Sequence, residues 1–210
     1  HTGMIVGIGN WVFQQALNQA GEWRSTHPDF SVSVNVSPVQ FYRSNEAYYR
    51  EWLSDCESIG RTPGAGPAVS IEITESLMMT SDETVMDKLT AFQNAGIKIS
   101  LDDFGTGYSS LSYLRKFNLD YLKIDQSFVH NLEHDAANRA LCEAIIVMAH
   151  KLGLKVIAEG IETPGQRDML AGAGCDFGQG YLFSPPVGAE EFERMLRSAP
   201  PLLPEQPLPA

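Results

Sequence analysis

Cysteine is scarce in this chain: its 210 residues hold three, Cys56, Cys142 and Cys175. They form no Cys-x-x-Cys pair and leave one thiol over in any bridging scheme, which argues against a disulfide framework and for a reducing, cytoplasmic compartment. Long apolar runs are missing too. No stretch of about 18 apolar residues occurs, so the sequence predicts no transmembrane helix, and any membrane anchor of a parent protein is expected outside this domain. The first residues lack the basic flank, apolar stretch and small-residue cleavage site of a secretory signal. Cations are in short supply: 15 Lys and Arg stand against 26 Asp and Glu, a net charge of −11 at pH 7. That excess repels a phosphate backbone and excludes broad binding to long nucleic acid, while leaving room for a small phosphorylated ligand that arrives with divalent cations. The five histidines (His1, His27, His130, His134, His150) show no zinc-ligand spacing.

What is present is a strand–helix unit repeated along the chain. A helix that begins almost at residue one is predicted through the stretch Asn10 to Gly21, with Phe13, Ala16, Leu17 and Ala20 at helical spacing and a stop at Gly21. The alternating segment Ser31–Val36 reads as a strand and hands over to Ser37-Pro38-Val39-Gln40, a capping box with Pro at the first helical position. Strand Ala68–Thr74 precedes helix Asp82–Ala95, strand Ile97–Asp102 a short helix near Ser109–Lys116, and strand Tyr121–Asp125 a helix over Ala136–Leu152. Strand Lys155–Ala158 leads to a helix opened by the Thr163-Pro164-Gly165-Gln166 box, and strand Cys175–Leu182 to helix Ala189–Arg197. Strands alternating with helices predict an α/β architecture, a mainly parallel sheet covered by helices. Residues 1–197 are read as one domain. Arg61–Pro67 is read as a flexible connection and 198–210, rich in proline, as a disordered tail.

In parallel α/β folds catalytic groups project from the C-terminal ends of strands. Each predicted strand delivers a polar residue there: Asn35, Glu72, Asp102-Asp103, Lys123 with Asp125, Glu159 and Gln179. Taken singly, each has a plainer reading. Glu72 and Glu159 suit an edge or an ion pair, Asn35 a turn before Ser-Pro, Gln179 a loop tip, and Lys123-Ile-Asp125 an ion pair within one strand. Asp102-Asp103 before Phe-Gly-Thr-Gly is harder to dismiss, because adjacent carboxylates in a glycine-flanked turn repel each other unless cations compensate. The coincidence of all these positions at one end of one sheet favours a site. Carboxylate and amide oxygens without a His or Cys cluster suit Mg²⁺ or Mn²⁺ rather than zinc. Acidic ligands around two such ions are the usual apparatus of phosphodiester hydrolysis.

The strings Asn35-Val-Ser37, Glu72-Ile-Thr-Glu75-Ser, Asp102-Asp-Phe-Gly-Thr-Gly-Tyr-Ser-Ser110-Leu, Asp120-Tyr-Leu-Lys-Ile-Asp125, Ala158-Glu-Gly-Ile-Glu162-Thr and Gly178-Gln-Gly-Tyr181 resemble, in order, the EAL domain, a bacterial cyclic di-GMP phosphodiesterase. The resemblance implies a modified (β/α)8 TIM-like barrel, a two-metal Mg²⁺ or Mn²⁺ site and cleavage of cyclic di-GMP to linear pGpG. Asn35, Glu72, Asp102 and Glu159 match metal ligands of the family, with Asp103 at the second metal. Lys123 matches the lysine that orients or activates the attacking water, and Gln179 a glutamine of the site; these two and Glu159 form the implied catalytic set. Glu75 matches the glutamate that anchors the loop after strand three, where Gly105 and Gly107 permit the turns. The family's Glu-Ala-Leu tripeptide does not occur in this sequence. Six strands are predicted where such a barrel has eight, so the first two strands, with the tripeptide's glutamate that is a further metal ligand of the family, either lie upstream of residue 1 or are absent; if they are absent, little or no activity is expected. The resemblance also implies a homodimer and an upstream sensory or diguanylate-cyclase-like domain. Two other readings stay open: a cyclic di-GMP receptor that binds without cleaving, and an unrelated barrel metalloenzyme acting on sugar phosphates.

Overall fold

The computed structural model of the chain describes residues 3–41, 46–59, 68–78, 83–107, 114 and 116–198. Its spine is a six-stranded, wholly parallel sheet with the strands in sequence order: β1 (Val32–Asn35), β2 (Val69–Thr74), β3 (Lys98–Phe104), β4 (Tyr121–Ile124), β5 (Lys155–Ala158) and β6 (Phe177–Gly178). Helices α1 (Met4–Arg24), α2 (Glu46–Ile59), α3 (Glu75–Met78), α4 (Glu83–Asn94), α5 (Gln126–Val129), α6 (Ala136–Lys151), α7 (Pro164–Gly172) and α8 (Ala189–Ser198) join and follow the strands. The result is a half-barrel with β1 and β6 at its edges. The short helix predicted near Ser109–Lys116, the 61–67 connection and the proline-rich tail fall largely or wholly outside the described residues.

The register sorts side chains into two layers. Val34, Ile71, Ile73, Ile99, Leu101, Leu122, Ile124, Val156 and Ala158 face the helices and are all buried, with Ile71, Ile73, Leu122, Ile124, Val156 and Ala158 at 0% exposure. The intervening positions share the other face: Asn35 pairs with Glu72, Thr74 with Asp102 and Lys123 with Ile157. Because a strand alternates every residue, fixing the apolar layer against the helices fixes where the polar layer points.

Helix starts are written locally. Asp125 and Asp135 accept backbone N–H bonds at the first turns of α5 and α6, and Thr163 with Gln166 forms the full capping box of α7, as read from the sequence. The Ser37–Gln40 box is only half built: Gln40 Oε1 accepts from Ser37 N at 2.9 Å, and Pro38–Phe41 make a single 3-10 turn rather than a longer helix.

Two expectations are corrected. The first helix does not stop at Gly21 but runs from Met4 to Arg24. A glycine inside a helix costs only about 1 kcal/mol, and the extra turn buries Arg24, whose Nε donates to Pro28 O at 2.9 Å, and packs Trp23 against Phe30 and Phe192. The last strand is not Cys175–Leu182 but two residues, Phe177–Gly178. Beyond them the chain turns across Ile161, whose N–H donates to Gln179 O and whose carbonyl accepts from Leu182 N, each at 3.0 Å. A Cβ on Gly180 would lie 2.2 Å from Ile161 O, so only glycine allows this approach.

All three cysteines are free, and burial pushes the thiols up, Cys56 to about 12 and Cys142 and Cys175 to about 11. The folded protein is therefore expected to react slowly with iodoacetamide at neutral pH and to yield three thiols on denaturation, as read by mass spectrometry. Leu122→Ala, which empties a fully buried site in the central sheet, is expected to cost about 2–5 kcal/mol in urea unfolding.

Candidate active site

The site begins with Lys123, which is 3% exposed on the polar face of β4. A buried ammonium requires anionic partners, and three strands supply them. Its Nζ donates to Glu72 Oε2 of β2 at 2.6 Å, lies 3.0 Å from Asp102 Oδ1 of β3, and lies 2.6 Å from Glu159 Oε1 just beyond β5. The ion pair within one strand, open as a reading of Lys123-Ile-Asp125, is not what forms. Asp125 turns away to cap α5, accepting from Ser127 N at 3.0 Å, while Lys123 reaches across the sheet.

Asp102 and Asp103 are consecutive, so a regular strand would send them to opposite faces. The ladder avoids this. Leu101 pairs with Leu122 and Phe104 with Ile124, which sets three residue steps on β3 against two on β4. The extra residue makes a bulge, and Asp103 takes a left-handed backbone with φ 55°, a conformation that Asp tolerates better than most residues. Its N–H donates to Asp102 Oδ1 at 3.0 Å. Both carboxylates then serve one site: Asp102, Asp103 and Glu159 each place an oxygen within 4.8 Å of the others.

Glu75, the first residue of α3, accepts from Gly105 N at 2.9 Å and so ties down the loop after the bulge. Gly105 has φ 97°, and a Cβ on Gly107 would lie 2.8 Å from Glu75 Oε2. Asn35 and Gln179 stand at the two edges. Asn35 is exposed at the end of β1 in register with Glu72. Gln179 is exposed after β6, its backbone N–H donating to Ala158 O at 2.8 Å. The structure thus gathers Glu72, Asp102, Asp103, Lys123 and Glu159 into one cluster, with Asn35 and Gln179 flanking it.

Three carboxylates contact one ammonium and a fourth, Asp103, lies beside them, and the imbalance shows in their protonation. Burial pulls Lys123 down, but the hydrogen bonds it donates to Glu159 and Glu72 outweigh this and hold the ammonium above the ordinary lysine range. Burial also raises Glu159, and Lys123 does not fully offset this because Asp102 and Glu72 repel its negative charge. Asp103 is raised by burial and then by Asp102. The donor set, carboxylate oxygens with excess negative charge and no nitrogen or sulfur, fits a hard divalent cation.

Removing the shared ammonium by Lys123→Met leaves buried carboxylates facing one another and is expected to cost about 3–5 kcal/mol in metal-free buffer. Glu159→Gln should do the reverse at pH 7. The folded protein holds this proton more tightly than the unfolded chain does, so the charged carboxyl is a penalty on folding above its raised pKa. The gain from the substitution should fade as the pH falls and the parent carboxyl is protonated, which thermal melts at neutral and acidic pH would follow.

YkoW, a signaling protein of Bacillus subtilis, is 38% identical over 199 residues, which cover 95% of this chain and 24% of YkoW. Among solved structures, the PaMucR phosphodiesterase in complex with c-di-GMP matches with a TM-score of 0.80 at 37% identity, over 91% of this chain and 76% of that one. BlrP1 of Klebsiella pneumoniae, in complex with manganese and cyclic di-GMP, matches with a TM-score of 0.69 at 28% identity, over 83% of this chain and 45% of that one. The chain spans about a quarter of the length of the curated relatives it matches. The family model of the EAL domain matches residues 1–186, a span that contains every member of the cluster around Lys123, and the chain belongs to the EAL domain family.

Proposed function

We propose that this chain is the catalytic domain of a cyclic di-GMP phosphodiesterase that opens one phosphodiester of the cyclic dinucleotide to give linear pGpG. The observation that carries this reading is the convergence of Glu72, Asp102 and Glu159, from three strands, on the buried Lys123. Asn35, Glu72, Asp102 and Glu159 are the residues that would hold one Mg²⁺ or Mn²⁺, and Asp103 the one that reaches a second. Such ions supply Lewis acidity toward phosphoryl oxygens and lower the pKa of a coordinated water.

The chain's own residues divide the remaining work. Lys123, held protonated by its neighbours, cannot take a proton at neutral pH; it orients the attacking water and balances charge that develops on the phosphoryl oxygens. Glu159, which meets Lys123 from the end of β5, belongs both to the ligands and to the catalytic set. Glu75 fixes the loop that carries Asp103 through Gly105 N. Gln179, exposed at the far edge, would complete the catalytic set on the side of β6. A small cyclic ligand also agrees with the net charge of −11, which disfavours long nucleic acid.

Chromatography of cyclic di-GMP incubated with the protein and Mg²⁺ or Mn²⁺ tests the reading. Linear pGpG is expected with either ion and not with EDTA. Asp102→Asn and Lys123→Met should each lower kcat by roughly 10²–10³-fold, the scale seen when one electrostatic stabiliser of a transition state is removed. Tight binding of the dinucleotide without turnover under any of these conditions would instead make the domain a receptor.

A further inference from the structure

Glu159 lies on a short connection rather than on a strand, so something must hold it at the height of Lys123. Its own N–H extends the ladder by donating to Ile124 O at 3.1 Å. The next residue, Gly160, has φ 69°, and a Cβ there would lie 2.6 Å from Gln126 Cβ, so the chain passes tightly over the start of α5. Three residues after Glu159 the connection meets Gln166. This side chain is 3% exposed, whereas the glutamine of a capping box usually sits at the surface of its helix. Its Oε1 accepts from Glu162 N at 2.7 Å and from Thr163 N at 3.1 Å, and its Nε2 donates to His130 O at 3.1 Å. His130 ends α5, the helix that starts immediately after the strand of Lys123.

Gln166 therefore joins the end of the Glu159 connection to the unit that carries Lys123. We propose that Gln166 is a positioning residue for Glu159: by clamping residues 162 and 163 to the end of α5 it sets the distance between the Glu159 carboxylate and the Lys123 cluster. The inference rests on the reading of that cluster as a metal-dependent phosphodiester site. Gln166 touches neither ligand nor reacting atoms. It acts through backbone, in the way outer partners orient metal ligands and tune affinity, and small displacements at such a site carry large rate effects.

The test uses the purified protein and three variants, with Mn²⁺ binding read by the electron paramagnetic resonance of the free ion and turnover of cyclic di-GMP read alongside it. Gln166→Leu removes all three hydrogen bonds; it should weaken Mn²⁺ binding and lower kcat by about 10-fold each, with KM little changed. Gln166→Glu keeps both acceptor bonds within the connection but loses the donor to His130 O, the one bond that reaches α5; it should lose Mn²⁺ affinity and kcat as Gln166→Leu does. Thr163→Val removes the hydroxyl that accepts from Gln166 N and donates to Glu133 Oε2 without touching the Gln166 bonds to Glu162 and His130; it should lower the melting temperature and leave Mn²⁺ affinity at the parental value. A Gln166→Leu protein that melts earlier but binds Mn²⁺ and turns over like the parent would reduce Gln166 to a helix cap and overturn the proposal. So would a Thr163→Val protein that loses as much Mn²⁺ affinity as the Gln166 variants, a comparison that holds even where Gln166→Leu fails to fold. A parent that binds no Mn²⁺ would overturn the metal reading itself and this inference with it.

Discussion

Everything at this site depends on one ammonium group held out of water. Lys123 enters a buried environment only because Glu72, Asp102 and Glu159 meet it there, and those carboxylates tolerate one another only because it stands between them. No two of these four residues share a strand. The interaction can form only when β2, β3, β4 and β5 are already in register, so it reads out the whole centre of the sheet. The apolar layer behind it does the aligning: with Leu122, Ile124, Ile71, Ile73 and Val156 sealed against the helices, the alternate positions have nowhere to point but inward to the site.

The strand ends also show how one short segment serves two masters. At the end of β4, Lys123 faces the cluster while Asp125, two residues on, leaves it to cap α5. At the end of β5, Glu159 faces the cluster while Thr163 and Gln166 open α7. Helix starts and site residues are thus interleaved within five residues of each other, and the rigidity of the caps is passed to the carboxylates. The loop after β3 has no described helix start close by, and there Glu75, from a different element, takes over the same duty through Gly105.

The sequence carried much of this plainly. Alternation of Ser70-Ile-Glu72-Ile-Thr74 and of Leu122-Lys123-Ile124 announced which face each side chain would take, and the Thr163 box announced α7, because all of these are local patterns. The misses are non-local. Lys123 has a nearer acid in sequence, Asp125, and only the folded sheet shows that acids on other strands win. Gly21 reads as a stop until the packing of Trp23 against Phe30 and Phe192 is known. The last strand reads as long because Phe177, Tyr181 and Leu182 bracket its glycines, yet the contact of Gly180 with Ile161 bends it after two residues. The bulge at Asp102-Asp103 did have a signal, paired aspartates ahead of a glycine, although the sequence alone did not show that the ladder would gain a residue there. Gln166 was legible as a cap but not as a buried one, since burial depends on where α5 ends.

That bulge sets folding and chemistry at odds. Deleting one codon at Asp102 or Asp103 would restore matched residue steps between β3 and β4, remove the left-handed backbone of Asp103, and give a more regular sheet. It would also leave a single aspartate where two now face the cluster. The extra residue in β3 thus trades regularity of the sheet for a second carboxylate at the cluster.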